Sequence, residues 1–146
     1  MRYPGISPDL FIRNRKKLAG LMEKNSVALI HSNDQMVRSG DQFYPYRQNS
    51  DLFYLSGIEQ EMSMIMLCPG QKEVKKRVML FLRKPDPKLE TWEGKKLDLE
   101  EAGKISGIGG IHWLVDYKTI SRSIILQSSN IYCNIPEHEK FKPEYP

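Results

Sequence analysis

Residues 38–57 read RSGDQFYPYRQNSDLFYLSG and differ in character from the sequence on either side. The run interleaves aromatic with charged and amide side chains, and its apolar residues follow neither the helical nor the strand period. Arg47, Asn49 and Asp51 could tie down an irregular backbone by charge-assisted hydrogen bonds. Four aromatic side chains could supply rigid core area. These are Tyr44, Tyr46, Phe53 and Tyr54. The residues alone therefore indicate a structural role.

Upstream of this run, the sequence predicts a helix and a buried strand. Ser7, Pro8 and Asp9 form a helix start, since serine caps free N–H groups, proline fits the first helical position and aspartate complements the dipole. The helix should extend to about Glu23, with its basic residues on a solvated face. These are Arg13, Arg15, Lys16 and Lys17. Residues 26–31 form an apolar run without alternation, which predicts an interior strand covered on both faces.

Downstream, two apolar runs should pair as a hairpin. They span residues 62–67 and 78–82, and the Pro69-Gly70 pair between them marks an exposed turn. A loop around Trp92 follows. Asp98 then stands three residues before Glu101, a spacing that predicts a capping box and a short helix.

The last third of the chain continues the alternation of strands and helices. Ile111 to Val115 can be a strand, Asp116 can cap a helix through Gln127, and residues 130–135 extend once more. Strands alternating with helices, with a hairpin in the middle, predict an α/β fold: a mixed β-sheet flanked by helices.

Composition limits the classes of protein to which this chain can belong. The chain has 146 residues, 40% of them hydrophobic, which suits one folded domain and excludes a disordered chain. Its apolar stretches are far shorter than the roughly 18 residues needed to cross a bilayer, and no signal peptide is readable, so we expect a soluble, cytoplasmic protein. Cys68 and Cys133 lie in apolar runs, which predicts buried, reduced thiols.

No catalytic motif stands out. His31, His112 and His138 are scattered, without metal-ligand spacing, and Gly107 to Gly110 lack the context of a phosphate loop. The paired carboxylates should be surface charges. They are Glu100, Glu101, Glu137 and Glu139. The net charge of +4 is mild. Basic and aromatic residues interleave between Arg38 and Arg47 as in nucleic-acid binders, but Asp41 and Asp51 lie within the same stretch, residues 38–57, so nucleic acid is not the favoured partner.

The run from Tyr44 to Gly57, preceded by Arg-Ser-Gly-Asp, closely resembles the signature of the N-terminal domain of the aminopeptidase P family, the Xaa-Pro aminopeptidases. Residues 90–97, ETWEGKKL, are similar to the family's Trp-x-Gly-basic-basic-Leu segment. The resemblance covers roughly residues 7–135 and implies the creatinase N-terminal fold, a mixed sheet flanked by helices. Nine residues of this signature should have structural roles. They are Arg38, Asp41, Tyr44, Tyr46, Arg47, Asn49, Asp51, Tyr54 and Gly57.

The resemblance also implies a parent protein with a non-catalytic N-terminal domain and a separate catalytic domain. Residues 1–135 would be the aminopeptidase P N-terminal domain, and residues 136–146 a linker toward an absent C-terminal catalytic domain. In the family, that second domain holds two divalent ions, usually manganese, on two Asp, one His and two Glu, and cleaves the bond before proline. We therefore expect neither catalytic residues nor metal ligands in this chain, which should be inactive alone.

Trp92 is the residue that the resemblance places nearest to substrate. In bacterial tetrameric members, the matching tryptophan reaches into the active site of a neighbouring subunit, and the alternative is that Trp92 folds back on its own domain. The domain would contribute oligomer contacts and restrict the active site to short proline-containing peptides. A rival interpretation is a free-standing peptide- or protein-binding module with the same fold and no catalysis.

Overall fold

The computed structural model describes residues 5–134. The larger elements are seven strands and six helices within that range. In chain order they are α1 (Pro8–Leu21), β1 (Ser26–His31), β2 (Val37–Ser39), β3 (Gln42–Phe43), α2 (Ser50–Ser56), β4 (Ser63–Leu67), α3 (Val74–Arg77), β5 (Val78–Leu82), α4 (Glu90–Glu93), α5 (Leu99–Ser106), β6 (Gly110–Trp113), α6 (Tyr117–Gln127) and β7 (Asn130–Cys133). None of these helices is long and apolar enough to cross a membrane.

Five strands form one sheet in the order β6-β5-β4-β1-β7, while β2 and β3 pair separately. β4 runs antiparallel to both β1 and β5, whereas β5–β6 and β1–β7 are parallel pairs. The predicted hairpin is confirmed, with β4 and β5 in register from Leu67 opposite Val78 to Ser63 opposite Leu82. The sheet is mixed and flanked by helices, as predicted.

The alternation of side chains along the strands divides the core into two layers. One layer contains Ala28 and Ile30 of β1 together with residues of α2 and α5, and α1 packs against it. The other contains Val27 and Leu29 of β1 and is covered by Ile124 of α6. Every residue of β1 is buried, which confirms the prediction of an interior strand.

Two helix starts form as their sequences predict. The Ser7 hydroxyl accepts a hydrogen bond from the Asp9 backbone N–H, with Pro8 in the first turn of α1. Asp98 and Glu101 form both bonds of a capping box at the start of α5. Both signals lie within a few residues of the helix that they start, so the sequence alone is enough to identify them.

The prediction that the whole basic run of α1 lies in solvent is wrong for Arg15, which is only 5% exposed. Its Nη1 donates to the carbonyl of Leu55 at 2.7 Å, and the neighbouring Asn14 Nδ2 donates to the carbonyl of Tyr54 at 2.9 Å. Both acceptors lie in the last turn of α2, where helical carbonyls lack intrahelical partners. The side chains of α1 therefore cap the end of α2.

Two predictions for the region after β6 are wrong: the strand to Val115 and the helix cap at Asp116. β6 ends at Trp113, and a 3-10 turn over Leu114–Asp116 leads directly into α6. Asp116 consequently has helical backbone angles, φ −88° and ψ −4°, and its side chain makes no capping hydrogen bond. The aspartate that resembled a cap in the sequence belongs to a helical turn that continues into α6.

The two cysteines differ. Cys68 is buried, as predicted, but the prediction for Cys133 is wrong, because β7 lies at the edge of the sheet and the residue is exposed. Several other expectations concern residues outside the described range. These are the extension of the last strand to Ile135, the surface positions of Glu137, His138 and Glu139, and the linker 136–146.

Candidate functional site

The signature run, residues 38–57, folds around the side chain of Gln48. Its Nε2 donates to the carbonyls of Ile58 and Gln60 at 3.1 and 3.0 Å. Its Oε1 accepts from the backbone N–H of Asn49 and from the Tyr46 hydroxyl, both at 2.8 Å. Gln48 is 8% exposed, so these bonds replace water at a buried amide and fix the run against the segment that leads into β4.

Asn49 begins α2. Its Oδ1 accepts from the backbone N–H groups of Asp51 and Leu52 at 3.0 and 3.2 Å, which is the arrangement of an N-cap. The predicted ties from Arg47 and Asp51 are not formed by their side chains among the described residues. Both residues are exposed, and the backbone carbonyl of Arg47 accepts from Asn33 instead.

The expected aromatic core of the run is only partly present. Phe53 is half-buried and its ring meets Phe11 edge to face at 6.1 Å. Tyr46 is half-buried, and burial raises the pKa of its hydroxyl. Tyr44 and Tyr54 are 49% and 50% exposed, so the prediction that they supply core area is wrong. Arg38 and Asp41 are exposed on the β2–β3 hairpin.

Gly57 closes α2 with φ +70°, a left-handed conformation that favours glycine. A Cβ at this position would lie 2.4 Å from both Cε2 and Cζ of Phe11, a residue that is 2% exposed. Gly57 therefore serves two purposes: it provides the backbone turn and the space in which α1 packs against α2.

Trp92 lies on the one-turn helix α4, where the sequence analysis predicts a loop, and it is 86% exposed. The alternative that Trp92 folds back on its own domain does not fit this exposure. Tryptophan is among the side chains that contribute most to protein interfaces. The signature run and Trp92 belong to different parts of the chain, and no hydrogen bond or ion pair between described residues joins the two.

Four charged side chains form a network at the base of the segment that carries Trp92. Lys96 Nζ lies 2.5 Å from Glu61 Oε1, and Arg83 Nη1 lies 3.6 Å from the same oxygen. The same Arg83 nitrogen lies 3.0 Å from Glu93 Oε2. Glu93 and Lys96 belong to the ETWEGKKL motif noted in the sequence. The sequence analysis does not identify Glu61 and Arg83, because their pairing depends on β4 and β5 being neighbours in the sheet.

The described residues contain no group of three or more His, Cys, Asp or Glu side chains that could hold a metal ion. His31 is buried at the end of β1, and burial lowers its pKa, while His112 is half-buried in β6. Burial likewise raises the pKa of the Cys68 thiol to about 12, which leaves it protonated at neutral pH.

Comparisons with known proteins give a consistent result. The family model described as "Aminopeptidase P, N-terminal domain" matches residues 11–132. A Xaa-Pro aminopeptidase of Haemophilus influenzae is 29% identical over 132 residues, which cover 90% of this chain and 30% of that protein. The mitochondrial Intermediate cleaving peptidase 55 of Arabidopsis thaliana is 26% identical, covering 90% of this chain and 26% of that protein.

The fold agrees with these matches. The structure of the aminopeptidase PepP of Pseudomonas aeruginosa superposes with a TM-score of 0.82 at 27% identity, covering 93% of this chain and 30% of that chain. The present chain thus spans about 30% of the length of the Haemophilus relative and of this structure.

Proposed function

This chain belongs to the family of aminopeptidase P N-terminal domains, and from that premise we propose that it is the non-catalytic domain of a Xaa-Pro aminopeptidase in which Trp92 borders the substrate site of a neighbouring subunit. The domain would also contribute oligomer contacts and narrow the entrance to the active site, so that short proline-containing peptides are preferred. A cytoplasmic location of the parent enzyme is part of the proposal, although one relative is mitochondrial.

The exposure of Trp92 is the observation that carries this proposal. The residue is 86% exposed on a one-turn helix, within a segment similar to the family's Trp-x-Gly-basic-basic-Leu motif. Exposing an indole to water is unfavourable unless a partner covers it, and tryptophan is among the residues that contribute most to protein interfaces. A second subunit is a partner that would bury it.

The two divalent ions that the family's chemistry requires do not fit the described residues of this chain, which offer no suitable ligand group. We assign the ions, usually manganese in the family, to the remaining polypeptide of the parent protein. What this domain contributes is the shape and polarity of the approach to the active site.

The test uses the parent enzyme with Trp92→Ala. A well-packed tryptophan contact contributes roughly 2 kcal/mol, so kcat/KM for a short Xaa-Pro peptide should fall by about thirtyfold. Metal content should remain unchanged. Leu21→Ala is the matched control: Leu21 is 85% exposed but lies on α1, outside the Trp-x-Gly-basic-basic-Leu segment, so the change should leave kcat/KM as it is. Unchanged kinetics of the Trp92→Ala enzyme would refute the proposed contact.

A second measurement addresses the rival interpretation of a free-standing binding module. The isolated chain should neither hydrolyse an Xaa-Pro peptide in the presence of Mn²⁺ nor bind that peptide measurably in calorimetry. Tight peptide binding by the isolated chain would favour the binding module instead.

A further inference from the structure

The segment that carries Trp92, residues 84–95, has almost no packing against the core. Residues 86–95 are all exposed, and Leu89, the other large apolar side chain there, is 37% exposed. Hydrophobic burial normally fixes the position of a surface segment, but it cannot do so here. Some other interaction must therefore determine where Trp92 lies.

The charge network at the base supplies that interaction. Arg83 immediately precedes the segment and Lys96 immediately follows it, and both approach the same oxygen, Oε1 of Glu61. The side chains of Glu61 and Lys96 are only 12% and 14% exposed. Pairs sheltered to this degree are screened by salt far less than surface pairs. One carboxylate thus joins both ends of the segment to the start of β4.

The network also extends to the residue beside Trp92. Arg83 Nη1 lies 3.0 Å from Oε2 of Glu93, so the guanidinium links the root of the segment to α4 itself. Next to Lys96, the backbone N–H of Leu97 donates to Oε1 of Gln60 at 2.9 Å, which fixes the exit of the segment to the same stretch, residues 60–61. Two consecutive side chains therefore anchor the base of the segment, and the more exposed pair of Lys95 Nζ with Glu101 Oε1, at 2.7 Å, adds a tie to α5.

We propose that Glu61 and Arg83 are positioning residues that hold Trp92 outward in one place. This inference rests on the proposed role of Trp92 at a neighbouring subunit, and it adds what keeps the indole ready for that contact. A pre-ordered side chain loses less conformational entropy on contact than a mobile one. Neither Glu61 nor Arg83 is assigned any contact with substrate.

The experiment measures Trp92 mobility in the full chain and does not depend on catalysis. The chain has two tryptophans, so Trp113→Phe leaves Trp92 as the only indole. Exposed side chains released from contacts move on the picosecond to nanosecond scale, so in Glu61→Gln the fluorescence anisotropy of Trp92 should fall by about a third or more. Glu100→Gln is the matched control, because the Glu100–Lys104 pair is exposed, and it should leave the anisotropy of Trp92 unchanged.

A second variant, in which Trp113 is the remaining tryptophan, shows whether Glu61→Gln loosens only the segment of Trp92 or the whole domain. With Trp92→Phe, the remaining Trp113 in β6 should keep its anisotropy when Glu61→Gln is added, because the network lies outside the core. If Glu61→Gln lowers the anisotropy of both tryptophans, Arg83→Gln distinguishes a local change from a global one. This variant preserves the Glu61–Lys96 pair and removes only the contacts of Arg83, including the link to Glu93. Arg83→Gln should lower the Trp92 signal and not the Trp113 signal.

Unchanged anisotropy of Trp92 in a folded Glu61→Gln chain would overturn the positioning role, as would an unchanged signal in Arg83→Gln. These outcomes are independent of the kinetics of Trp92→Ala in the parent enzyme. A mobile Trp92 in Glu61→Gln together with normal kinetics of Trp92→Ala would support the positioning role and refute the proposed function. The two inferences can therefore fail separately.

Discussion

Replacing Gly57 by alanine tests the packing of α1 on α2. The residue has φ +70°, where an alanine is strained by roughly 1–2 kcal/mol. Its Cβ would also lie 2.4 Å from two atoms of the Phe11 ring. Phe11 is 2% exposed and its ring packs edge to face on Phe53, so it cannot move without displacing other core atoms. Overpacking of this kind costs about 1–3 kcal/mol.

The two contributions together predict that Gly57→Ala lowers the free energy of unfolding by about 2–5 kcal/mol, a large part of the roughly 5–15 kcal/mol that holds a typical domain together. Urea denaturation followed by circular dichroism measures this directly. The thermal midpoint should fall by about 3 °C for each kcal/mol lost in a domain of this size.

Alanine substitutions at two other glycines distinguish the cost of backbone strain from the cost of a steric clash. Gly40 has φ +50° and open space around the position that a Cβ would take, so Gly40→Ala should show the backbone strain alone. Gly107 ends α5 with φ +67°, and a Cβ there would lie 2.8 Å from Cδ1 and 3.0 Å from Cγ1 of Ile12, a half-buried aliphatic side chain that yields more easily than a buried ring. The expected order of destabilisation is Gly57 above Gly107 above Gly40. If Gly57→Ala is no worse than Gly40→Ala, the reasoning from a clash with Phe11 is refuted.

Three further predictions concern single side chains. Asn49→Ala should lower the free energy of unfolding by about 1–2 kcal/mol in urea denaturation, because α2 loses its cap, whereas Asn49→Asp keeps the acceptor and should retain most of that stability. At pH 8, native protein should react with a thiol reagent at Cys133 alone, since burial raises the pKa of Cys68 to about 12; two fast thiols would contradict this. Burial lowers the pKa of His31 from 6.5, so the folded state favours the neutral form, and stability should fall as the pH drops from 6.5 toward the lowered pKa. Denaturation of His31→Gln should show a flatter profile below pH 6.5.

The elements that the sequence predicts correctly have signals within a few residues of one another. The Ser7 start of α1, the Asp98 capping box and the β4–β5 hairpin each depend on short-range geometry. The fold class follows from their order along the chain, and the family from the motif in residues 44–57. The short elements are not predicted, and α2 is an example, because it is only seven residues long and its signature run shows no clear helical period.

The features that the sequence does not reveal depend on distant partners. Arg15 resembles its solvated neighbours, yet it is buried because α2 presents an unpaired carbonyl forty residues away in the sequence. Cys133 resembles a core residue, yet it is exposed because β7 is added at the edge of the sheet. In both cases, hydropathy predicts the wrong burial, because burial depends on which elements pack around a residue in the folded chain.

The candidate site shows the same division. By itself, the sequence determined that Trp92 lies among charges in a segment outside the predicted strands, and the motif around it indicated the family. Only the tertiary structure decided that Glu61, thirty-one residues before Trp92 in the chain, lies at the base of that segment between Arg83 and Lys96. The physical reason is that charges attract according to distance in space, and the pairing of β4 with β5 sets that distance.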